Sequence, residues 1–279
     1  MKAKKNTISK VLVLGGTGKT GSRVAQQLTE KGWPVRIGSR SGTPSFDWED
    51  AGTWAAAVKD MDAVYLSYYP DLAIPGAVEK IAAFTKIAVT NGIKQIVLLS
   101  GRGEKEAQAS EDIVMNAGID WTVIRCAWFN QNFSEGYLLD PLVAGHVALP
   151  AGAVVEPFVD TEDIADVAVA AFTEEGHAGK LYELTGPRLI TFPEAIAEIA
   201  KAAGRNIQYQ EVSMEEYKGM LAEYEIPDDF IWLVSYLFTE VLDGRNTYLT
   251  DGVRQALGRA PRDFSEYVKR TAASGVWNG

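Results

Sequence analysis

The sequence predicts an α/β protein: a doubly wound parallel sheet with a smaller α/β lobe after it. Three observations point there. Val11–Leu14 is an unbroken run of four apolar residues, the pattern of a strand buried on both faces. Glycines recur at 15, 18 and 21 directly after it, and Val24, Ala25 and Leu28 then follow at helical spacing. Short apolar runs and helical patterns alternate from there to Arg125, which implies a parallel sheet with right-handed crossovers.

Each element has its own signal. A helix is expected over Lys19–Lys31, stopped by Gly32, and a second strand over Val35–Gly38. Phe46-Asp47 reads as a short third strand, with a helix near Ala51–Lys59. Ala63–Ser67 is the fourth strand, Gly76–Asn91 a long helix ended by Gly92, and Ile96–Ser100 the fifth strand. Glu104–Ala117 is a helix ended by Gly118, and Trp121–Arg125 the sixth strand. Segments after Arg125 become shorter and less regular, punctuated by Pro141, Pro150, Pro157, Pro187 and Pro193. The expected division is residues 1–150 for the sheet domain and 151–279 for a smaller substrate-binding lobe, with elements free to interleave. Residues 214–241 carry apolar residues at 230, 233, 234, 237 and 238, at helical spacing. They read as a lid, an oligomer contact or core packing.

A strand, a glycine turn and a helix start together make a phosphate site. The glycines let the backbone approach closely, and the helix start offers free N–H groups and a positive dipole end. Gly18-Lys19-Thr20 resembles the end of a P-loop, but that pattern needs glycine at 13, where Val13 stands inside the strand. The spacing GxxGxxG in its strand-turn-helix setting instead fits the dinucleotide-binding, Rossmann-type fold. Gly15, Thr17, Gly18, Lys19, Thr20 and Gly21 are the expected phosphate contacts.

Composition narrows the rest. The chain has 279 residues, 47% hydrophobic, enough for one large globular unit or a two-lobed one. A net charge of −10 disfavours nucleic acid and anionic membrane surfaces as partners. Cys126 is the single cysteine, and His146 and His177 lie far apart, so no disulfide and no zinc spacing is present. No apolar run approaches a membrane span, and the basic stretch Met1–Lys10 is not followed by an apolar core of signal-peptide length. A cytoplasmic protein that uses no metal is the expectation.

The end of the second strand chooses the dinucleotide. An NAD site usually carries an acid there for the ribose hydroxyls. Here the strand runs into Ser39-Arg40-Ser41, a cation between two hydroxyls, which suits a 2′-phosphate and therefore NADP(H). Lys19 adds a second cation, and Asp47 stands where it would meet an adenine amino group or simply form a turn.

Several segments together resemble the NmrA-like atypical short-chain dehydrogenase/reductase family. They are the Gly15–Gly21 loop, Val97-Leu98-Leu99-Ser100, residues 118–125, Trp128-Phe129-Asn130-Gln131-Asn132-Phe133, residues 158–165, residues 182–187 and residues 257–261. Gly38-Ser39-Arg40-Ser41 with Phe46-Asp47-Trp48 is similar to the festuclavine-dehydrogenase type. The resemblance implies NAD(P)H chemistry without flavin, as in quinone reductases and azoreductases, or cofactor sensing without turnover. The sequence departs from typical short-chain dehydrogenases in lacking any Tyr-x-x-x-Lys. Related reductases often carry Lys or His where Ala107 stands, four residues before Glu111. Loss of that proton donor disfavours simple alcohol chemistry and leaves acceptors whose reduced form is a tolerable anion or already neutral.

The fold places the nicotinamide past the carboxyl ends of the later strands. Ser67, Tyr68, Tyr69 and Pro70 are expected beside it, with Ser100, Gly101 and Arg102 opposite. Tyr68 or Tyr69 would donate a proton, stack on a flat acceptor, or only pack. Cys126 is either reactive or an inert buried hydrophobe. Trp128, Phe129, Asn130 and Phe133 read as a substrate wall or as ordinary core. Asp160 and Asp163 read as a capping pair. The expected reaction is hydride transfer from NADPH to a small conjugated, aromatic acceptor of quinone, azo or imine/iminium type, in a protein that is a monomer or homodimer. The alternative is a non-catalytic NADP(H) sensor.

Overall fold

The computed structural model describes residues 8–279, so most of the basic stretch Met1–Lys10 lies outside the described residues. Two compact units emerge. One holds the residues up to Arg125 with Glu162–Glu183 and Gly252–Gly258; the other holds Cys126–Thr161, Leu184–Asp251 and Arg259–Gly279.

The first unit is built on a six-stranded sheet in the order β2-β1-β3-β4-β5-β8. The strands are β1 (Val11–Leu14), β2 (Val35–Gly38), β3 (Ala63–Leu66), β4 (Gln95–Gly101), β5 (Asp120–Cys126) and β8 (Lys180–Leu184). β1 and β3 are wholly apolar or aromatic and wholly buried, so they take central places, with Val11 level with Val35 on one side and Ala63 on the other. Ala63 is in turn level with Gln95, all in parallel register. The connecting helices are α1 (Gly21–Glu30), α2 (Trp54–Val58), α3 (Ala77–Thr90) and α4 (Lys105–Met115). Each turns an apolar stripe to the sheet; in α1 it is Val24, Ala25 and Leu28. Asp62 stitches the strand starts together, accepting from Ser9 N at 3.0 Å and Lys94 Nζ at 2.6 Å. Burial would raise its carboxyl, but the bonds from Lys94 and Ser9 outweigh burial and hold it at about 2.

Two expectations need correction. Phe46-Asp47 is not a sheet strand: Asp47 makes only an isolated bridge to Asp50. The Phe46 ring instead packs against Trp48, Trp54 and Phe84, with centroids 4.9, 6.4 and 5.7 Å away. One aromatic ring finds its burial in a ring cluster, while its polar neighbours are satisfied by a local turn. The sixth sheet strand is β8, which begins beside β5 where Gly179 N donates to the Trp121 carbonyl at 2.7 Å. The first unit runs to Arg125 and takes up the chain again with α6 (Thr161–Thr173). That helix carries Ile164, Ala165, Val167 and Ala168 with no exposure, and Ala171 accepts from Gln95 Nε2 at 2.8 Å. A helix that apolar needs a sheet face to cover it. α10 (Gly252–Leu257) belongs here too, its Gly252 lying flat against the Glu183 backbone.

The second unit has two small sheets: β6 (His146–Leu149) parallel to β10 (Gln208–Glu211), and β7 (Val155–Glu156) antiparallel to β9 (Ile190–Thr191). Around them lie α5 (Leu139–Ala144), α7 (Phe192–Ala203), α8 (Met214–Glu223), α9 (Asp228–Tyr236), a π turn over Leu237–Val241, and α11 (Phe264–Ala273). α7 and α8 each open on a capping box, Thr191 with Glu194 and Ser213 with Glu216. Leu233, Val234 and Phe238 are buried, so much of the 214–241 pattern is core packing. Trp232 and Tyr236 stack at 5.5 Å, and Trp232 remains 42% exposed.

Trp277 closes this core from the far end of the sequence. It is fully buried, and its indole N–H donates to the Phe133 carbonyl at 2.7 Å. Trp277→Ala leaves a cavity and an unmet carbonyl, and is expected to cost about 3–5 kcal/mol in urea unfolding. Trp232→Ala, on the surface, is expected to stay within about 1 kcal/mol.

Candidate active site

The glycine loop has the geometry its spacing promised. Gly15 sits at φ +64°, and Gly18 N donates to the Gly15 carbonyl at 2.8 Å, closing the turn. A Cβ on Gly21 would come within 2.7 Å of the Gly15 carbonyl carbon, and one on Gly16 within 2.8 Å of Ile37 Cδ1. Helix α1 therefore starts flush against the end of β1. Thr17 and Gly18 stay exposed while Gly16, Thr20 and Gly21 are buried. A Cβ added to Gly15 would lie 3.3 Å from the Ser67 side chain, just past β3, so Ser67 stands close over the loop. A backbone cradle at a helix start, open on its outer side, fits a dinucleotide pyrophosphate.

After β2 the chain folds back on itself: Gly42 N and Phe46 N both donate to the Ser39 carbonyl, at 3.0 and 2.8 Å. Ser39 and Ser41 place their hydroxyls 3.4 Å apart, and Arg40 between them is exposed. No acid stands at this strand end. Lys19 offers its carbonyl to Arg23, whose guanidinium also pairs with Glu162 at 2.8 Å. Asp47 forms a turn, its carboxylate accepting from Glu49 N at 3.0 Å and its carbonyl from the Trp54 indole at 2.7 Å.

Past β3, neighbouring tyrosines part company. Tyr69 is 76% exposed, while Tyr68 is buried, tilted on Trp48 at 4.8 Å. Burial raises the Tyr68 phenol, and the nearby Lys80 ammonium lowers it without overcoming burial. Lys80 also pairs with Glu49 at 2.5 Å. Pro70 is exposed, and Cys126, in the second unit, is buried.

A chain of paired charge, buried at Glu111 and Arg102 and partly exposed at Arg125 and Glu183, crosses the carboxyl ends of β4, β5 and β8. Ser100 Oγ donates to Glu111 Oε1 at 2.6 Å, and Arg125 forks onto both Glu111 oxygens at 2.9 and 2.5 Å. Arg125 lies 3.7 Å from Glu183, which pairs with Arg102 at 2.8 Å. Beside it, the carboxyl of Glu104 folds back over Gly101, at a place where a Cβ would overlap it. Asp71 accepts from Ala73 N at 2.9 Å and lies against Glu104, and burial raises its carboxyl. Burial first, then the Asp71 charge, pushes Glu104 well above the usual carboxylate range. Sequence reading missed this group. Its signal was faint: Glu111 on the buried face of α4, and a charged residue breaking the apolar run of β5 at Arg125.

In the second unit Phe133 is fully buried among Phe158, Phe192 and Phe264, which makes it core, not wall. Trp128 and Phe129 are partly exposed; Trp128 packs edge-on to Phe192 at 5.2 Å. Asn130 is fully buried. Asp160, expected as a cap, accepts from Gln131 Nε2 at 2.7 Å and pairs with Arg270 at 2.9 Å. His177 meets the Tyr182 hydroxyl at 2.9 Å inside the first unit, and His146 is exposed. Among the described residues no group of His, Cys, Asp or Glu is placed to hold a metal ion. None of their helices is long and apolar enough to cross a membrane.

A family model described as NAD(P)H-binding matches residues 15–175. The chain belongs to that family. It is 28% identical to an NAD(P)H azoreductase of Xenophilus azovorans, over 95% of this chain and 98% of that protein. It is 27% identical to prestalk A differentiation protein A of Dictyostelium discoideum, over 95% and 93%. A solved NADPH-dependent quinone oxidoreductase of Escherichia coli, complexed with NADPH, superposes with a TM-score of 0.74 at 21% identity, covering 93% of this chain and 99% of that one. The doubly wound fold and the resemblance read from the motifs both hold.

The raised Glu104 carboxyl gives a pH prediction. A carboxyl raised in the folded state contributes stability that is present below its ordinary value of 4.5 and lost as pH rises through the folded value. Glu104→Gln keeps a donor for Asp71 without titrating. Its melting temperature is expected to exceed that of the unsubstituted protein by about 2–6 °C at pH near 8.5 and to match it at pH near 4.5.

Proposed function

We propose that this protein is an NADPH-dependent reductase that delivers hydride to a small conjugated acceptor of the quinone, azo or imine/iminium type. The observation that carries the reading is the end of β2: an exposed arginine between two serines, with no acid, beside an open glycine cradle in an NAD(P)H-binding chain. A ribose hydroxyl pair wants a carboxylate at that place; a 2′-phosphate wants Arg40 and the hydroxyls of Ser39 and Ser41.

Reduced nicotinamide supplies the hydride when bound. The chain's own residues bind and orient. Gly15, Thr17, Gly18, Lys19, Thr20 and Gly21 hold the pyrophosphate, with Ser67 closing the loop from β3. Asp47, with its turn already formed, presents its remaining carboxylate capacity to the adenine. Pro70, Ser100 and Gly101 flank the nicotinamide. Exposed Tyr69 stacks on a flat acceptor, a role that buried Tyr68 with its raised phenol fills less well. Cys126 is buried and serves as a small hydrophobe. Trp128, Phe129 and Asn130 make the acceptor contacts of the second unit. A quinone or iminium acceptor needs no strong acid at the moment of hydride arrival, which suits a chain without Tyr-x-x-x-Lys. The azoreductase and quinone oxidoreductase named above act on acceptors of this kind by their names, and that supports the class. A flavin-free cytoplasmic enzyme, monomeric or dimeric, completes the proposal.

The test is oxidation of NADPH, and separately of NADH, followed at the reduced-nicotinamide band with quinones, azo dyes, cyclic imines and simple ketones. Acceptor-dependent oxidation, faster with NADPH, is expected. Arg40→Ala is expected to cut the NADPH-over-NADH preference by about tenfold or more, by removing the charge-assisted contact to the 2′-phosphate. Tight NADP(H) binding without turnover on any acceptor would make the protein a cofactor sensor.

A further inference from the structure

Charge is unevenly spread along this chain. Residues 211–243, all in the second unit, hold nine acidic side chains and one basic, Lys218, so this segment carries eight of the ten net negative charges. All nine acids are exposed. Asp243 is held in an ion pair by Arg245 at 2.7 Å, and Glu240 lies within the field of the same guanidinium. Some of the charge serves the helices. Glu215 and Glu216 open α8, and Asp228 and Asp229 open α9, where the helix dipole favours acids. The rest opposes it. Glu223 stands in the last turn of α8 and Glu240 in the π turn that closes α9, at ends where a cation would be stabilising. Glu225 takes φ +54°, the left-handed position just past α8 that glycine fills at least cost. Its N–H donates to the Ala222 carbonyl at 3.0 Å, and Ile226 N to the Leu221 carbonyl at 3.1 Å. These three acids run against local preference, and conflicts of that kind concentrate at functional surfaces.

On the same stretch, α9 turns aromatic rings outward. Trp232 and Tyr236, one helical turn apart, stack with centroids 5.5 Å and planes 8° apart, and Trp232 is 42% exposed. Asp228 lies one turn before Trp232 on that face. Tyr224, at the end of α8, is 78% exposed. An exposed indole among carboxylates attracts a cation twice, through the ring quadrupole and through the field of the acids. We propose that this face of α9, centred on Trp232, docks a basic, arginine- and lysine-bearing segment of a partner protein. Charge selects the occupant. A second copy of the chain would bring the same negative field and be repelled, as would nucleic acid or an anionic membrane. The acids extend over two helices, more charge than one small cation can meet. A large aromatic side chain is the usual anchor of a protein interface, and Trp232 supplies it.

The experiment follows dye-labelled oligoarginine, with oligoglutamate of equal length as its control, by fluorescence anisotropy at low and raised salt. The unsubstituted protein is compared with Trp232→Ala and with the combined variant Glu223→Gln, Glu225→Gln, Glu240→Gln. A second combined variant, Glu79→Gln, Asp112→Asn, Asp120→Asn, removes as much charge from exposed acids of the first unit. Melting temperature confirms that each variant is folded. Oligoarginine is expected to bind with an affinity that falls as salt rises, and oligoglutamate not to bind. Trp232→Ala and the α8–α9 combination are each expected to weaken oligoarginine binding about tenfold, and the first-unit combination less than about twofold. Glu225→Gly is expected to weaken binding while raising the melting temperature by about 2–4 °C, a pairing that a structural role would not produce. Equal weakening by the two combinations reduces the effect to net charge, and the proposal falls. It falls too if folded Trp232→Ala binds oligoarginine unchanged. Benzyltrimethylammonium bound as tightly as oligoarginine, and lost in Trp232→Ala, makes the occupant a small cation. Self-association of the free protein that Trp232→Ala abolishes makes it a second copy. Either result overturns the basic partner.

Discussion

Everything at the carboxyl edge of the main sheet depends on how closely α1 approaches the turn that precedes it. With glycine at 21, the helix start rests on the Gly15 carbonyl; any side chain there would overlap that carbonyl. That approach aims the helix's unpaired N–H groups at the space above β1 and leaves Thr17 and Gly18 open to it. The constraint runs outward. Gly16 must also lack a side chain because Ile37 of β2 fills its place, and Ser67, just past β3, stands over Gly15. Three adjacent strands are thereby adjusted to one loop.

The second organising feature is paired charge. The Ser100, Glu111, Arg125, Glu183, Arg102 chain joins strand ends distant in sequence, and each charge in it has an opposite partner. Buried ion pairs contribute little net stability, but removing one partner is costly, so such a chain fixes where strand ends stand. Asp71 and Glu104 differ: they are two carboxyls side by side, both raised first by burial.

The second unit treats neighbouring residues of one turn differently. Phe133, expected in a substrate wall, is core because Phe158, Phe192, Phe264 and the Trp277 indole all converge on it. Gln131 spends both amide atoms on residues 160 and 161, and Asn130 spends neither. Aromatic identity in the sequence could not separate wall from core at Phe133; the rings packed round it do.

The sequence by itself determined the glycine loop, the strands β1 to β5 with their helices, the parallel fold and the missing acid after β2. These are local signals, written in periodicity and in glycines that only one geometry requires. Only the tertiary structure decided that Phe46-Asp47 forms no sheet strand, that Lys180–Leu184 is the sixth strand, and that α6 returns to the first unit. A two-residue apolar signal is settled by whichever neighbours can cover the ring, and an edge strand by the partner it finds. The same holds for the site. Arg40 was legible because its place follows from one strand end. Glu104 with Asp71, Arg125 with Glu111, and the unmet amide of Asn130 were not, because each depends on what lies opposite in space, and such pairing leaves at most a faint mark in local sequence.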